Sequence, residues 1–575
     1  MRGWRIATLA LVGCAPTYAQ YARPSEPLAG GLPGPASWLS LACSGGHVIA
    51  AWHDLGNGKI YASSSAGPGS PWLGPQLIGD SNLTIESEKE PNSCCSAGGT
   101  EFSLWMKEEP PLGAELFLYD ENESELSMVD KGYPAGTGQV ENFAYKCLPK
   151  KPAPIHHYVL MQVDPTPDSV PDDEAWFARS TDGGESFLPP LPLSPPGVDV
   201  DAIGMAADGD LVVAVWTDNR WGPNLRTLHA VISKDCGASF EPEFQLSPSL
   251  AEAFGSVGEF AVEVREQTVL VAFEEEIIPD TDLSRMLAMA STDCGKSFYG
   301  WEVLAGFPLE PPVDLNTISV AITPLAENLL VGWSESSNGT STPFAAVSTD
   351  DGMNWAETQL APSGAAPKLV TAKAPADDVV AYWTTVEMPA NDLVARLSRD
   401  EGLTWDPVIV VDDNTGDVDR PVAAYDPVYR DFHFAWLADD GGSNAPYAGG
   451  FRPHFLNPVG WSPGSTAIGF EFSAFDSAAD QYALAFLSTT TQGPSFVLDG
   501  LEIGLPLSTF TVDSLTLLPV LAAIASDGSG STPLYSVSPD SWTSFSGISV
   551  FGVGLGLEFT TFAKGSLTDV VPVWP

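Results

Sequence analysis

Ser180-Thr181-Asp182-Gly183-Gly184-Glu185-Ser186-Phe187 is the stretch on which the reading of this chain turns. Its form, Ser-x-Asp-x-Gly-x-x-Trp/Phe, recurs at Ser233/Asp235/Gly237/Phe240, Ser291/Asp293/Gly295/Phe298, Ser348/Asp350/Gly352/Trp355 and Ser398/Asp400/Gly402/Trp405. A decayed copy keeps Ser65, Gly69 and Trp72, with Gly67 in place of the aspartate. The residue types suit a hairpin turn. A short Asp side chain accepts hydrogen bonds from nearby backbone N–H groups, Gly takes a positive φ, and the aromatic ring packs between sheets. Asp182, Asp235, Asp293, Asp350 and Asp400 are therefore assigned to structure, not to catalysis.

Ahead of each box lies a run rich in β-branched and aromatic residues that ends on a large side chain. The eight anchors are Trp52, Trp105, Gln162, Trp216, Phe273, Trp333, Trp383 and Trp436. Repeats 2 and 8 have lost the box. A sheet of this size cannot bury both faces alone, and a fixed period of such sheets is what stacked propeller blades produce. The 54 Gly and 50 Pro fit an all-β chain dense in turns. The expected architecture is an all-β propeller over residues 35–455, with eight repeats forming seven or eight blades. Residues 456–575 change character: Lys564 is their one basic side chain, and runs such as Ala467 to Phe472 and Tyr482 to Leu487 read as strands of a small C-terminal β-sandwich.

The repeated turn resembles the Asp box, or BNR repeat, of the sialidase-like superfamily of β-propellers. That resemblance implies an active face opposite the boxes, formed by the loops that join second and third strands. It also implies, for a sialidase, three clustered arginines, a Tyr nucleophile activated by Glu, and an Asp as acid/base. The sequence does not supply the set. No Arg occurs between Arg23 and Arg179, and the family's early Phe/Tyr-Arg-Ile-Pro motif is missing; Tyr21-Ala22-Arg23-Pro24 lacks its spacing and Arg420-Pro421 is a partial echo. The reading is thus a propeller that binds a glycan or a surface protein without sialidase catalysis. A glycoside hydrolase of the same superfamily is the alternative.

Carboxylates follow the anchors in every repeat: Asp54, Glu108, Asp164, Asp218, Glu274 and Glu275, Glu335, Glu387, and Asp439. They are expected to form an acidic rim on the ligand face, with Asp54, Asp164, Asp218, Glu275 and Glu335 as binding candidates. Arg220 is the arginine best placed for that face, and pairing with Asp218 is its structural alternative. An acidic mouth opposes an anionic sugar, favours a cation and is indifferent to a neutral glycan. The net charge of −49 argues against nucleic acid and anionic membranes.

Arg2 and Arg5, the apolar run from Ile6 to Gly13 and small residues beyond read as an export signal within residues 1–19. Leu11-Val12-Gly13-Cys14 matches a lipobox, in which Cys14 is lipidated, while Thr17-Tyr18-Ala19 suits ordinary signal cleavage. The product is expected to be secreted or a surface lipoprotein, monomeric, with no transmembrane segment. Six further cysteines form an even set of open connectivity, and Cys236 and Cys294 are expected to lie blades apart rather than bonded. No cofactor or metal is expected. The acidic stretch Asp412 to Asp419 lacks the Gly and closing Glu of a calcium loop.

Overall fold

The computed structural model describes residues 22–28 and, with breaks in the connecting loops, 35–451; beyond these it describes the backbone of strands between 455 and 574. The chain is all-β. Between 22 and 451 it forms eight four-stranded antiparallel sheets. Blades 1 to 7 are sequential: 36–80, 92–128, 139–192, 200–245, 256–306, 314–359 and 368–412. Blade 8 takes three strands from 418–451 and its outermost strand, Ala22–Pro27, from the start of the chain. The first strands of successive blades adjoin one another, and that of blade 8 meets that of blade 1, so the ring closes with these strands innermost.

The blade count settles at eight, and the ring extends upstream of residue 35 by one strand. That strand explains a gap in the repeat. Repeat 8 has no box because its fourth strand does not follow its third in sequence. Register confirms the closure: Ala22 pairs with Phe451 and Pro27 with Tyr447.

Every anchor falls in the second strand of its blade. Trp52, Trp216, Phe273, Trp333, Trp383 and Trp436 are essentially inaccessible. The apolar cores lie between blades rather than within them. Val213, Val215 and Ile232 of blade 4 pack with Val269, Val271 and Phe273 of blade 5, and the same arrangement joins blade 8 to blade 1 through Leu437, Ala435, Trp52 and Leu39. A blade is thus stable only against its neighbours.

Strand direction sorts the loops into two faces. Asp208 pairs with Leu211 and Val212 with Ser233, so the turn joining first and second strands shares one face with the Ser-x-Asp-x-Gly turn, the box; we call it the lower face. The loop from second to third strand, such as 219–226, lies on the upper face. Past Phe451, the predicted strands Ala467–Ser473 and Tyr482–Ser488 are present and pair antiparallel with partners from the same segment. Their assembly into a sandwich, the signal segment 1–19 and Cys14 lie outside the described residues.

Candidate functional site

The lower face is occupied by the boxes, whose geometry is the same five times. In blade 3, Ser180 Oγ donates to Asp182 Oδ1 at 2.6 Å and accepts from Gly184 N at 2.9 Å. Asp182 then accepts from both the backbone N and the side chain of Ser186. Ser239, Ser297, Asn354 and Thr404 fill the last role in the other boxes. That seventh position carries a hydroxyl or amide in all five boxes, a regularity that the eight-residue motif contains but its usual form leaves open. The donors hold the Asp235 carboxyl down to about 2, chiefly through Ser239, and lower Asp293 and Asp350 in the same way. These acids are consumed by their turns.

The acids that follow the anchors are mostly consumed as well. Side chains two apart on a strand share a face, so an anchor indole and the carboxylate after it meet. Trp216 Nε1 donates to Asp218 Oδ2 at 3.0 Å, and Trp333 Nε1 to Glu335 Oε1 at 3.2 Å. Asp218 is fully buried and also binds Arg220, whose second arm reaches Glu243; His229 Nδ1 completes the cluster at 2.9 Å from Glu243. Although burial pulls the Asp218 carboxyl up, the Arg220 and His229 partners bring it below the usual carboxylate range. Glu275, 1% exposed, is clamped by Arg285 Nε at 2.5 Å. Asp54 closes its own loop by accepting from Gly56 N and Asn57 Nδ2. Asp164 lies near Asp173 together with Glu141 and Asp199. The Glu108 side chain and Glu387 lie outside the described residues.

What remains at the upper mouth comes from the innermost strands. In six of the eight blades the pairing of first and second strand slips at a β-bulge near the upper end: at Ser37/Leu39, Val140/Asn142, Val200/Ala202, Val257/Phe260, Asn316/Ser319 and Asp419/Val422. A bulge re-aims a side chain and is common beside binding sites. The residues so displaced are Trp38, Glu141, Asp201, Glu259, Thr317 and Arg420. Three of them hold left-handed backbone, Trp38 at φ 52°, Thr317 at 44° and Arg420 at 49°, a conformation that costs a bulky residue about 1–3 kcal/mol and persists only where the surroundings impose it.

These positions divide the mouth. On the side of blades 8 and 1, the Arg420 guanidinium lies 3.6 Å from the centre of the Trp38 ring, and Lys368 Nζ of blade 7 donates to Pro421 O in the same bulge. On the side of blades 3 to 5 the displaced residues are acids. Asp173 accepts from Gln162 Nε2 at 2.7 Å, and Asp199 from Asn219 Nδ2 at 2.7 Å. Burial raises the Asp173 carboxyl, and Glu141, Asp164 and Asp199 add to the rise. Asp199 is raised by burial and by Asp201, which itself pairs with Arg226. Among the described residues the upper-face arginines Arg220, Arg226, Arg285 and Arg420 are each engaged separately, and no three converge. No grouping of three His, Cys, Asp or Glu suited to a metal occurs among the described residues. Cys147 is in a disulfide, whereas Cys236 and Cys294 are thiols in corresponding turns of blades 4 and 5. Among the described residues no helix is long and apolar enough to cross a membrane.

Fold and site together define an all-β propeller with a polar mouth, where Arg420 stacks on Trp38 and pairs with Asp419 at 3.5 Å. No known protein family and no curated protein matches the sequence. Solved structures similar to it include a protein of unknown function from Dyadobacter fermentans, at 15% identity, covering 74% of this chain and 97% of that one with a TM-score of 0.37. The Hadza microbial sialidase Hz136 aligns at 14% identity over 60% of this chain and 75% of its own, with a TM-score of 0.33. A six-bladed fucose-binding lectin from Aleuria aurantia aligns at 14% over 57% and 96%, also with a TM-score of 0.33.

Proposed function

We propose that this chain is an exported, sialidase-like Asp-box propeller that binds a glycan at its upper mouth and does not hydrolyse it, released after Ala19 or lipid-tethered at Cys14. The observation that carries the reading is the Trp38–Arg420 pair, held on two strained bulges at the rim of the channel and facing acids across it. An indole face packs against the apolar face of a pyranose. Arginine and carboxylate side chains bind its hydroxyl groups. The same arrangement is a poor sialidase, since it offers one arginine where three would be needed to hold the substrate carboxylate.

Titration calorimetry with a panel of neutral and acidic oligosaccharides tests this. Binding of at least one glycan, weakened tenfold or more by Trp38→Ala, is expected, with no turnover of fluorogenic glycosides. A panel without any binder would overturn it. One observation favours the alternative of glycoside hydrolysis: the raised carboxyls of Asp173 and Asp199 lie beside further acids, Glu141, Asp164 and Asp201, and a glycosidase works with paired carboxyls. Turnover that is lost in Asp173→Asn would establish that reading instead.

A further inference from the structure

The two ends of the propeller leave it on the same side. Ala22 opposes Phe451, and Phe451 opposes Phe432 at the lower end of blade 8, so both the segment that enters strand Ala22–Pro27 and the segment that continues past Phe451 emerge from the lower face. Cys14 precedes Ala22 by eight residues, a tether that spans at most about 28 Å fully extended. The ring cannot present its upper mouth to whatever anchors Cys14 without the tether climbing the outside of blade 8.

The same face carries six of the eleven exposed large apolar side chains among the described residues, three more, Leu77, Leu191 and Val410, lying on outermost strands. Leu325 lies in a lower turn of blade 6, Met353 and Leu403 at the tips of the boxes of blades 6 and 7, and Leu73, Leu188 and Tyr299 directly after box aromatics; they are 38–55% exposed. Trp221 and Val386 are the exposed large apolar residues of the upper loops among the described residues. Single exposed apolar residues are ordinary. Their concentration on the face from which the tether leaves is the point.

We infer that the lower, Asp-box face is a lipid-docking face: in the lipid-tethered form of the exported chain, the apolar turn tips of blades 6 and 7 rest on the bilayer and the mouth points away from it. Lipid at Cys14 would hold the chain at the surface by itself, and Met353 and Leu403 add an apolar contact that fixes which face turns to the bilayer. The inference rests on lipidation at Cys14 and is independent of what the mouth binds. Because the chain is strongly acidic, the matching surface is zwitterionic.

Hydrogen exchange of the full-length chain, purified from membranes and placed on phosphatidylcholine vesicles, provides the test, with Cys14→Ser in solution as reference. Slowing of tenfold or more is expected at residues 350–355 and 400–405 and none at 219–222. In the double variant Met353→Asp, Leu403→Asp, the chain should still float with vesicles but lose the slowing. Protection at the upper loops, equal exchange on both faces, or flotation of Cys14→Ser that matches the parent would each overturn the inference.

Discussion

Asp235 and Asp173 are the same residue type at opposite ends of neighbouring blades, and their surroundings push them in opposite directions. Asp235 lies on the lower face and is held down to about 2 by donors from Ser239 and Ser233. Asp173 lies on the upper face, half-buried among Glu141, Asp164 and Asp199, and is raised by burial and by those neighbours. A carboxylate supplied with local donors stabilises the fold when ionised. A carboxylate crowded with others costs stability when ionised, and such a cost is retained at sites that do something else. The difference separates scaffold acids from site acids more sharply than sequence position does.

Removing a partner from an upper-face acid breaks the contrast most severely. Arg220→Ala leaves Asp218 buried without its main counter-charge, and unfolding by denaturant should show a loss of about 3 kcal/mol or more. The lower face is next. Gly237 holds φ 73°, and a Cβ there would stand 2.7 Å from the Phe177 ring, so Gly237→Ala should cost about 2–3 kcal/mol by the same measurement. The smallest effect has the opposite sign: Asp173→Asn keeps the acceptor for Gln162 and removes a repelled charge, for a gain on the order of 0.5 kcal/mol at pH 7, discounted for solvent screening.

The pH dependence follows the same division. The depressed Asp235 adds stability that is present above the unfolded carboxylate value of about 3.9 and is lost as pH falls toward its folded value. Asp173 and Asp199, being raised, add stability that is complete below that unfolded value and lost as pH rises through their folded values. The advantage of Asp173→Asn in melting temperature should therefore shrink to nothing near pH 4. An advantage that persisted there would place its origin in packing.

The turns were legible because their chemistry is local: all donors and acceptors of a box lie within seven residues. The anchors were legible because a buried second strand has its own composition. The acids after the anchors were visible too, and the two-residue spacing of Trp216 and Asp218 contained the indole–carboxylate contact that occupies them. Trp38, Glu141, Asp201 and Arg420 were not legible as a group. Their common feature is a slip in strand pairing, which is fixed by the partner strand and the neighbouring blades, and no periodicity along the inner strand announces it. The loan of Ala22–Pro27 to blade 8 is hidden for the same reason, since a strand preference does not name a distant partner.

That loan sets an order of events. The closing strand precedes every other strand of the ring in sequence and can find its place only after residue 444 has followed. Until then blade 8 lacks its outermost strand and strand Asn444–Phe451 keeps an open edge, of the kind that misassociates. Non-local pairing of this sort is slow. Once made, it joins the two ends of the ring like a clasp, and a protease cutting just after Pro27 would open it where a cut before Ala22 would not.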